Sequence, residues 1–242
     1  MIPLKDDTPR LSTPMVNYFL IAANVCVYLF ETTLGRGGAL QFERTFGLIP
    51  ARITTSLQAS MFTGHHHLHS HAVPLEVAAV TILTSMFIHG GFWHVLPNMW
   101  FLWIFGRNLE DALGHFPYLV FYFTCGIAAA LAQILSDVHS IVPTVGASGA
   151  IAGVMGGYFI LYPRARVLML VPFIFVFFLW LPAWAVLGYW IAIQFLSGLG
   201  TALLGSEGGG GIAFWAHVGG FVAGVLLVRI FPARTRRYLY ID

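Results

Sequence analysis

An all-α fold, a polytopic membrane helical bundle with six transmembrane helices, is what the residues of this chain point to. Three observations carry it. Of 242 residues, 58% are hydrophobic and only 9% are charged, against roughly 25% charged in an ordinary soluble domain. Mean hydropathy is +0.79. The basic residues are sorted along the chain in alternating segments, as a membrane protein sorts them. The net charge of +2, with no basic run interleaved with aromatics, excludes a nucleic-acid surface. Cys26 and Cys125 lie in apolar stretches and read as packing residues, since no disulfide framework or CxxC pattern accompanies them.

A helix crossing ~30 Å of hydrocarbon needs about 20 apolar residues. The first expected span is 15–34, entered through Thr13 and Pro14. It is read as a span and not a signal peptide, because it lacks an A-x-A cleavage pattern and Asp6 and Asp7 precede it. A polar-to-mixed outer loop is expected over 35–76. The second, third and fourth spans are expected at about 92–112, 116–136 and 147–162. The apolar stretch 167–200 is too long for one crossing, and Pro172 and Pro182 interrupt it. It divides into a connector over 167–178, lying in the interface or against the bundle, and a fifth span over 179–198. A glycine-rich loop at 205–213 leads to the sixth span, 213–231. With the N-terminus cytoplasmic, inner segments hold Lys5, Arg10, Arg107, Arg164, Arg166, Arg229, Arg234, Arg236 and Arg237, and outer segments hold Arg36, Arg44 and Arg52. That sorting obeys the positive-inside rule and places both termini inside. The whole chain, 1–242, reads as a single membrane domain without strong internal repeats.

Polar side chains inside spans are costly and by default mark function. Three groups stand out. "FIHGGFWHVLPNMW" opens span two, where His94 and Asn98 share a helix face and His89 lies just upstream. Pro97 is compatible with a helix if it falls among the first-turn donors, which need no partner within the helix. Span four opens at Ser148, where unpaired amides and the helix dipole stabilise an anion. Gly149, Gly153 and Gly157 follow at intervals of four, as a small-residue stripe for close helix packing. Span six carries His217, with Gly220 and Gly224 as a second stripe. Taken singly, each residue has a bland reading: packing histidines and asparagine, and a serine helix cap. Together, the topology puts His94, Asn98, Ser148 and His217 at similar depth on one side. Two glycine stripes then allow close docking of spans four and six. A serine becomes a nucleophile when a base takes its proton. His217 is the candidate base, and His94, Asn98 and the Ser148 amide are candidate oxyanion donors. Asp137 and Glu207, in outer loops, are weaker candidates to orient His217, so a Ser–His dyad is expected.

"HGGFWHVLPNMWFLWIFG", "GRNLEDALG", "GASGAIAGVMGGY" and "AHVGGFVAG" together resemble the rhomboid family of intramembrane serine proteases, over about Phe87 to Gly224. The resemblance implies Ser148 as nucleophile, His217 as base without an aspartate, and His94 and Asn98 as oxyanion donors. It also implies a structural G-x-x-x-E-x-x-x-G made by Gly106, Glu110 and Gly114. Gly146 and Gly149 belong to its serine motif. The order G-A-S-G-A is not the hydrolase elbow, since Ala150 replaces its second glycine. The chain departs from the family pattern at Ala152, where many relatives place an aromatic beneath the histidine. The orientation of His217 is therefore assigned to Phe214 or Trp215. Pro97 stands where glycine is frequent, and the Trp-Arg pair of some relatives' first outer loop is absent. The five histidines of "HHHLHSH", His65–His71, match no defined metal spacing and read as a solvated loop. No metal or cofactor is expected.

The expected function is hydrolysis of peptide bonds in or near transmembrane segments of single-pass or other membrane proteins, at the outer face of a cell membrane. Span five, with Trp180, Trp184, Tyr189, Trp190 and Phe195, is the expected lateral gate, and Gly208–Gly211 the expected flap. The alternatives are a non-proteolytic binder or quality-control factor on the same fold, and a transporter. A transporter requires polar residues at mid-depth and a path through both faces. The oligomeric state is left open by the sequence.

Overall fold

The computed structural model describes residues 2–61, 73–172, 176–204 and 212–231. In chain order the elements are β1 (Ile2–Asp6), α1 (Met15–Thr33), α2 (Gly35–Phe46), α3 (Pro50–Met61), α4 (Leu75–Thr84), α5 (Phe92–Phe101), α6 (Arg107–Leu113), α7 (His115–Ser136), α8 (Ser148–Leu161), β2 (Arg166–Pro172), β3 (Val176–Pro182), α9 (Ala183–Leu204) and α10 (Phe214–Leu227). A π-helical turn, Leu102–Gly106, joins α5 to α6. Each of the six expected spans thus contains a helix. Among the described residues α1, α7 and α9 are each long and apolar enough to cross a membrane. Residues 75–87 and 92–113 pass that test as a pair bent by 79°.

α8 and α10 have 14 residues each, or ~21 Å at 1.5 Å per residue. They are shorter than the hydrocarbon is thick; α8 is buried from Gly149 to Tyr158, and α10 packs against it while exposing Val222 and Leu226. Gly149 packs against Ala129 of α7, whose helix continues to Ser136, ~10 Å further. The start of α8 therefore lies about two turns short of the C-terminal end of α7. The α8–α10 contact is backbone on backbone. A methyl group on Gly220 would overlap the Gly149 carbonyl, and one on Gly224 the Gly153 carbonyl. The stripe on α8 shifts as it descends. Gly156 faces Phe221 of α10, whereas Gly157 faces Leu109 and Phe121, because a helix with 3.6 residues per turn rotates an i+4 row away from a fixed partner.

At the opposite end, acidic side chains clamp the N-terminal segment. Glu110 is fully buried. Its carboxylate accepts the Val16 and Asn17 amides at 2.9 and 2.7 Å, two of the orphan donors that open α1, and meets His115 Nδ1 at 2.5 Å. Asp111 accepts the Leu11 and Ser12 amides at 3.0 and 2.7 Å. Asn17 donates to the Leu102 carbonyl at 3.1 Å, at the start of the π turn, and Tyr118 donates to Asn17 at 2.7 Å. Burial raises the Asp6 carboxyl above its usual range, while hydrogen bonds from Tyr158 and the nearby Arg107 pull it back. Replacing Glu110 with Gln leaves one backbone donor facing an NH2 group. The expected cost is about 2 kcal/mol or more, read as a lower thermal midpoint in detergent.

Several expectations need correction. The fifth span begins at Ala183, not Leu179. Residues 166–172 and 176–182 pair as antiparallel strands, and β1 completes an antiparallel sheet in the order β1-β2-β3. Two seven-residue runs rich in β-branched and aromatic residues, ending at Pro172 and Pro182, suit strands as well as an apolar connector. The outer loop 35–76 holds α2, α3 and the start of α4. Pro97 lies in the second turn of α5, whose first residue is Phe92, so the bond it lacks is the one to the Trp93 carbonyl. The histidines His65–His71 and the expected flap Gly208–Gly211 lie outside the described residues.

Candidate active site

Ser148 is the first residue of α8. The N-cap position belongs to Ala147, and no side chain caps the helix, so the Ser148 hydroxyl is not used as a cap. It lies 2.8 Å from His217 Nε2. His217 enters from the first turn of α10, where the amide of the buried Ala216 donates to Gln133 Oε1 of α7 at 3.2 Å. The interlocked glycines below hold α8 and α10 close enough for this contact.

The loop before Ser148 is tied to the segment that carries α2, α3 and α4. Leu48 and Thr144 exchange backbone hydrogen bonds at 3.0 and 2.7 Å, and the Gly146 amide donates to the Ser85 carbonyl at 2.8 Å. Gly146 has φ +119°, a conformation open to glycine. A Cβ there would also stand 2.7 Å from His94 Nε2. The absent side chain lets the His94 ring reach the serine loop.

His94 and Asn98 lie on α5, one turn apart. The Asn98 Nδ2 donates to the His94 carbonyl at 2.9 Å, leaving its second N–H for another acceptor. Behind them, the His89 and His94 rings meet edge to face, with centroids 5.1 Å apart. The His89 amide is shared by the two Glu31 carboxylate oxygens at 3.3 and 3.2 Å, and its Nδ1 donates to the Phe87 carbonyl at 3.3 Å. Glu31 is buried at the end of α1. Its role in holding the His89 turn gives no sign in the sequence, where it reads as the polar end of a span.

A cavity of about 610 Å³ joins these residues. His94, Asn98, Ser148 and His217 line it, with Gly90, Pro97, Val145, Ile151 and Ala213. Phe101, Met155 and Trp190 form its apolar wall between α5, α8 and α9. The expected orientation of His217 by Phe214 or Trp215 is not what the structure has. Trp215 packs edge-on against Phe195, at 6.0 Å. His217 instead meets two residues of α9: Trp190, whose ring lies 5.6 Å away at 40°, and Gln194, whose Oε1 lies 2.7 Å from Nδ1. Of the two carboxylates weighed as orienting groups, Asp137 accepts the His139 amide at 3.1 Å, and Glu207 lies outside the described residues.

Residues 77–234 match the Rhomboid domain model. Among curated proteins, the chain is 34% identical to Rhomboid protein 1, mitochondrial, of Saccharomyces cerevisiae over 152 residues, 61% of this chain and 40% of that protein. It is 33% identical to RHOMBOID-like protein 5 of Arabidopsis thaliana over 31% of this chain and 24% of that protein. It is 28% identical to Presenilin-associated rhomboid-like protein, mitochondrial, of Homo sapiens over 38% of this chain and 24% of that protein. The matched region thus spans well under half of each relative. The domain match covers more than half of this chain and includes the serine loop, α5 and the α8–α10 pair, so this helical membrane protein belongs to the rhomboid family.

Proposed function

We propose that the protein is an intramembrane serine endopeptidase that hydrolyses peptide bonds in or near the transmembrane segments of other membrane proteins. The observation that carries this reading is the 2.8 Å contact between Ser148 Oγ and His217 Nε2, at the floor of a cavity whose other polar residues are His94 and Asn98. In the proposed reaction His217 takes the hydroxyl proton as Ser148 Oγ attacks the peptide carbonyl carbon. The carbonyl oxygen becomes negative, facing the free Asn98 N–H, His94 and the Ser148 amide at the positive end of α8. His217 then returns the proton to the leaving amine. Water hydrolyses the acyl-serine by the same base.

A helical substrate hides its carbonyls, so a short unwound stretch must enter. The wall made by Phe101, Met155 and Trp190 is the proposed route from the lipid, next to α9. Substrates of this site are membrane segments with small or helix-breaking residues near the cut. Charge sorting supports a sided arrangement, with both termini cytoplasmic and the site toward the outer face of a cell membrane. The names of the yeast and human relatives place those proteins in mitochondria. The reading for this chain needs the sidedness, not a particular organelle.

The test is cleavage of a single-pass reporter with a glycine- and alanine-containing segment, in lipid vesicles holding the purified protein. Asn98→Ala is expected to lower kcat by roughly 10²–10³-fold, the usual loss for one oxyanion donor, with little change in KM. A variant cleaving at the wild-type rate removes Asn98 from the mechanism.

A further inference from the structure

We propose that Gln194 is the positioning residue for the base, replacing the carboxylate of a charged triad with a neutral amide supplied by α9. This inference rests on the reading of Ser148 and His217 as nucleophile and base. The observation is the pair of contacts on one imidazole: Nδ1 faces Gln194 Oε1 at 2.7 Å, and Nε2 faces Ser148 Oγ at 2.8 Å. An amide oxygen only accepts. The proton of neutral His217 is therefore held on Nδ1, and the lone pair on Nε2 points at the serine hydroxyl. This is the tautomer a general base requires.

Trp190 and Gln194 are four apart on α9 and share a face. The indole lies against the imidazole at 5.6 Å while the amide holds its edge. Together they fix ring plane and ring rotation. Ala152, fully buried on α8, leaves that orientation to be supplied from a different helix. A neutral acceptor also fits its location. The rest of α9 exposes Trp184, Tyr189, Ile193, Phe195 and Leu196, a lipid-facing surface where a carboxylate would be costly unless paired. The amide accepts the Nδ1 proton without bringing a charge there, and gives up the stronger stabilisation of an imidazolium that a carboxylate offers.

The experiment compares wild type, Ser148→Ala, Gln194→Met and Gln194→Glu in the same vesicles. It reads reporter kcat and KM, the rate of labelling by a serine-directed fluorophosphonate, and the thermal midpoint. Methionine keeps the bulk of glutamine and removes the acceptor, while glutamate restores one. Gln194→Met is expected to lose roughly tenfold to a hundredfold in kcat and labelling rate, less than the ~10⁴ lost when the charged triad is given the wrong tautomer. KM and thermal midpoint stay near wild type, and Gln194→Glu recovers most of the rate. Wild-type kcat in Gln194→Met overturns the inference. So does a Gln194→Glu variant as slow as Gln194→Met, since packing alone would then explain the loss. In both of those cases an active wild type and an inactive Ser148→Ala leave the serine mechanism standing. A wild type that neither cleaves nor labels overturns that mechanism and this inference with it.

Discussion

Ser148→Ala is expected to cleave no reporter at all, with kcat falling by about 10⁶ or to background, as when a serine protease loses its nucleophile. The fold should be untouched. The hydroxyl caps no helix end, and among the described residues its hydrogen-bond partner is His217. Binding should survive as well, because the cavity loses a single oxygen. The variant is thus expected to keep the wild-type thermal midpoint and retain substrate in pull-down. Residual cleavage with a normal time course means that the nucleophile is elsewhere.

Gly220→Val produces the second large loss, by a different route. The added side chain overlaps the Gly149 carbonyl, one residue past the serine. Backbone cannot yield as a flexible side chain does, so α10 must move away from α8. Overpacking of this kind costs about 1–3 kcal/mol and at times more. Because His217 is one turn above Gly220 on α10, the displacement also breaks the 2.8 Å contact. The expected result is a lower thermal midpoint together with at least a ~10²-fold loss of cleavage, on the scale set by small misplacements of reacting groups. The comparison is Gly188→Ala on α9, where an added Cβ meets no atom within 4 Å. That variant should keep both midpoint and cleavage. If Gly220→Val melts and cleaves like wild type, the two helices do not depend on backbone contact.

What the sequence discloses depends on whether a residue's signal is local. Ser148, His217, His94 and Asn98 stand out because a polar group in an apolar segment has a cost that must be explained. Helix direction then sorts them to one end. The glycine stripes are likewise local, and only the drift from Gly157 to Gly156 requires three dimensions. Gln194 carries the same signal, a polar group in a long apolar helix, but its role is not legible, because its partner lies on another helix, 23 residues on. Glu31 is hidden for the same reason. The π turn at Leu102–Gly106 has no sequence mark, since it is completed by Asn17 from α1. The pairing of β2 with β3 was masked by composition. An unbroken apolar run does not distinguish a buried helix from a strand, and β1, its partner, lies more than 150 residues earlier. The helices of the 35–76 segment contain too many polar residues to read as spans, and amphipathic helices there resemble loop by composition alone.

The most direct measurement is the site and rate of covalent modification by a fluorophosphonate in the lipid-reconstituted protein, followed by intact-mass and peptide mass spectrometry. If His217 activates Ser148, wild type gains a single adduct on Ser148, and His217→Ala labels at least ~10³-fold more slowly. An adduct on another residue, or His217→Ala labelling as fast as wild type, contradicts it.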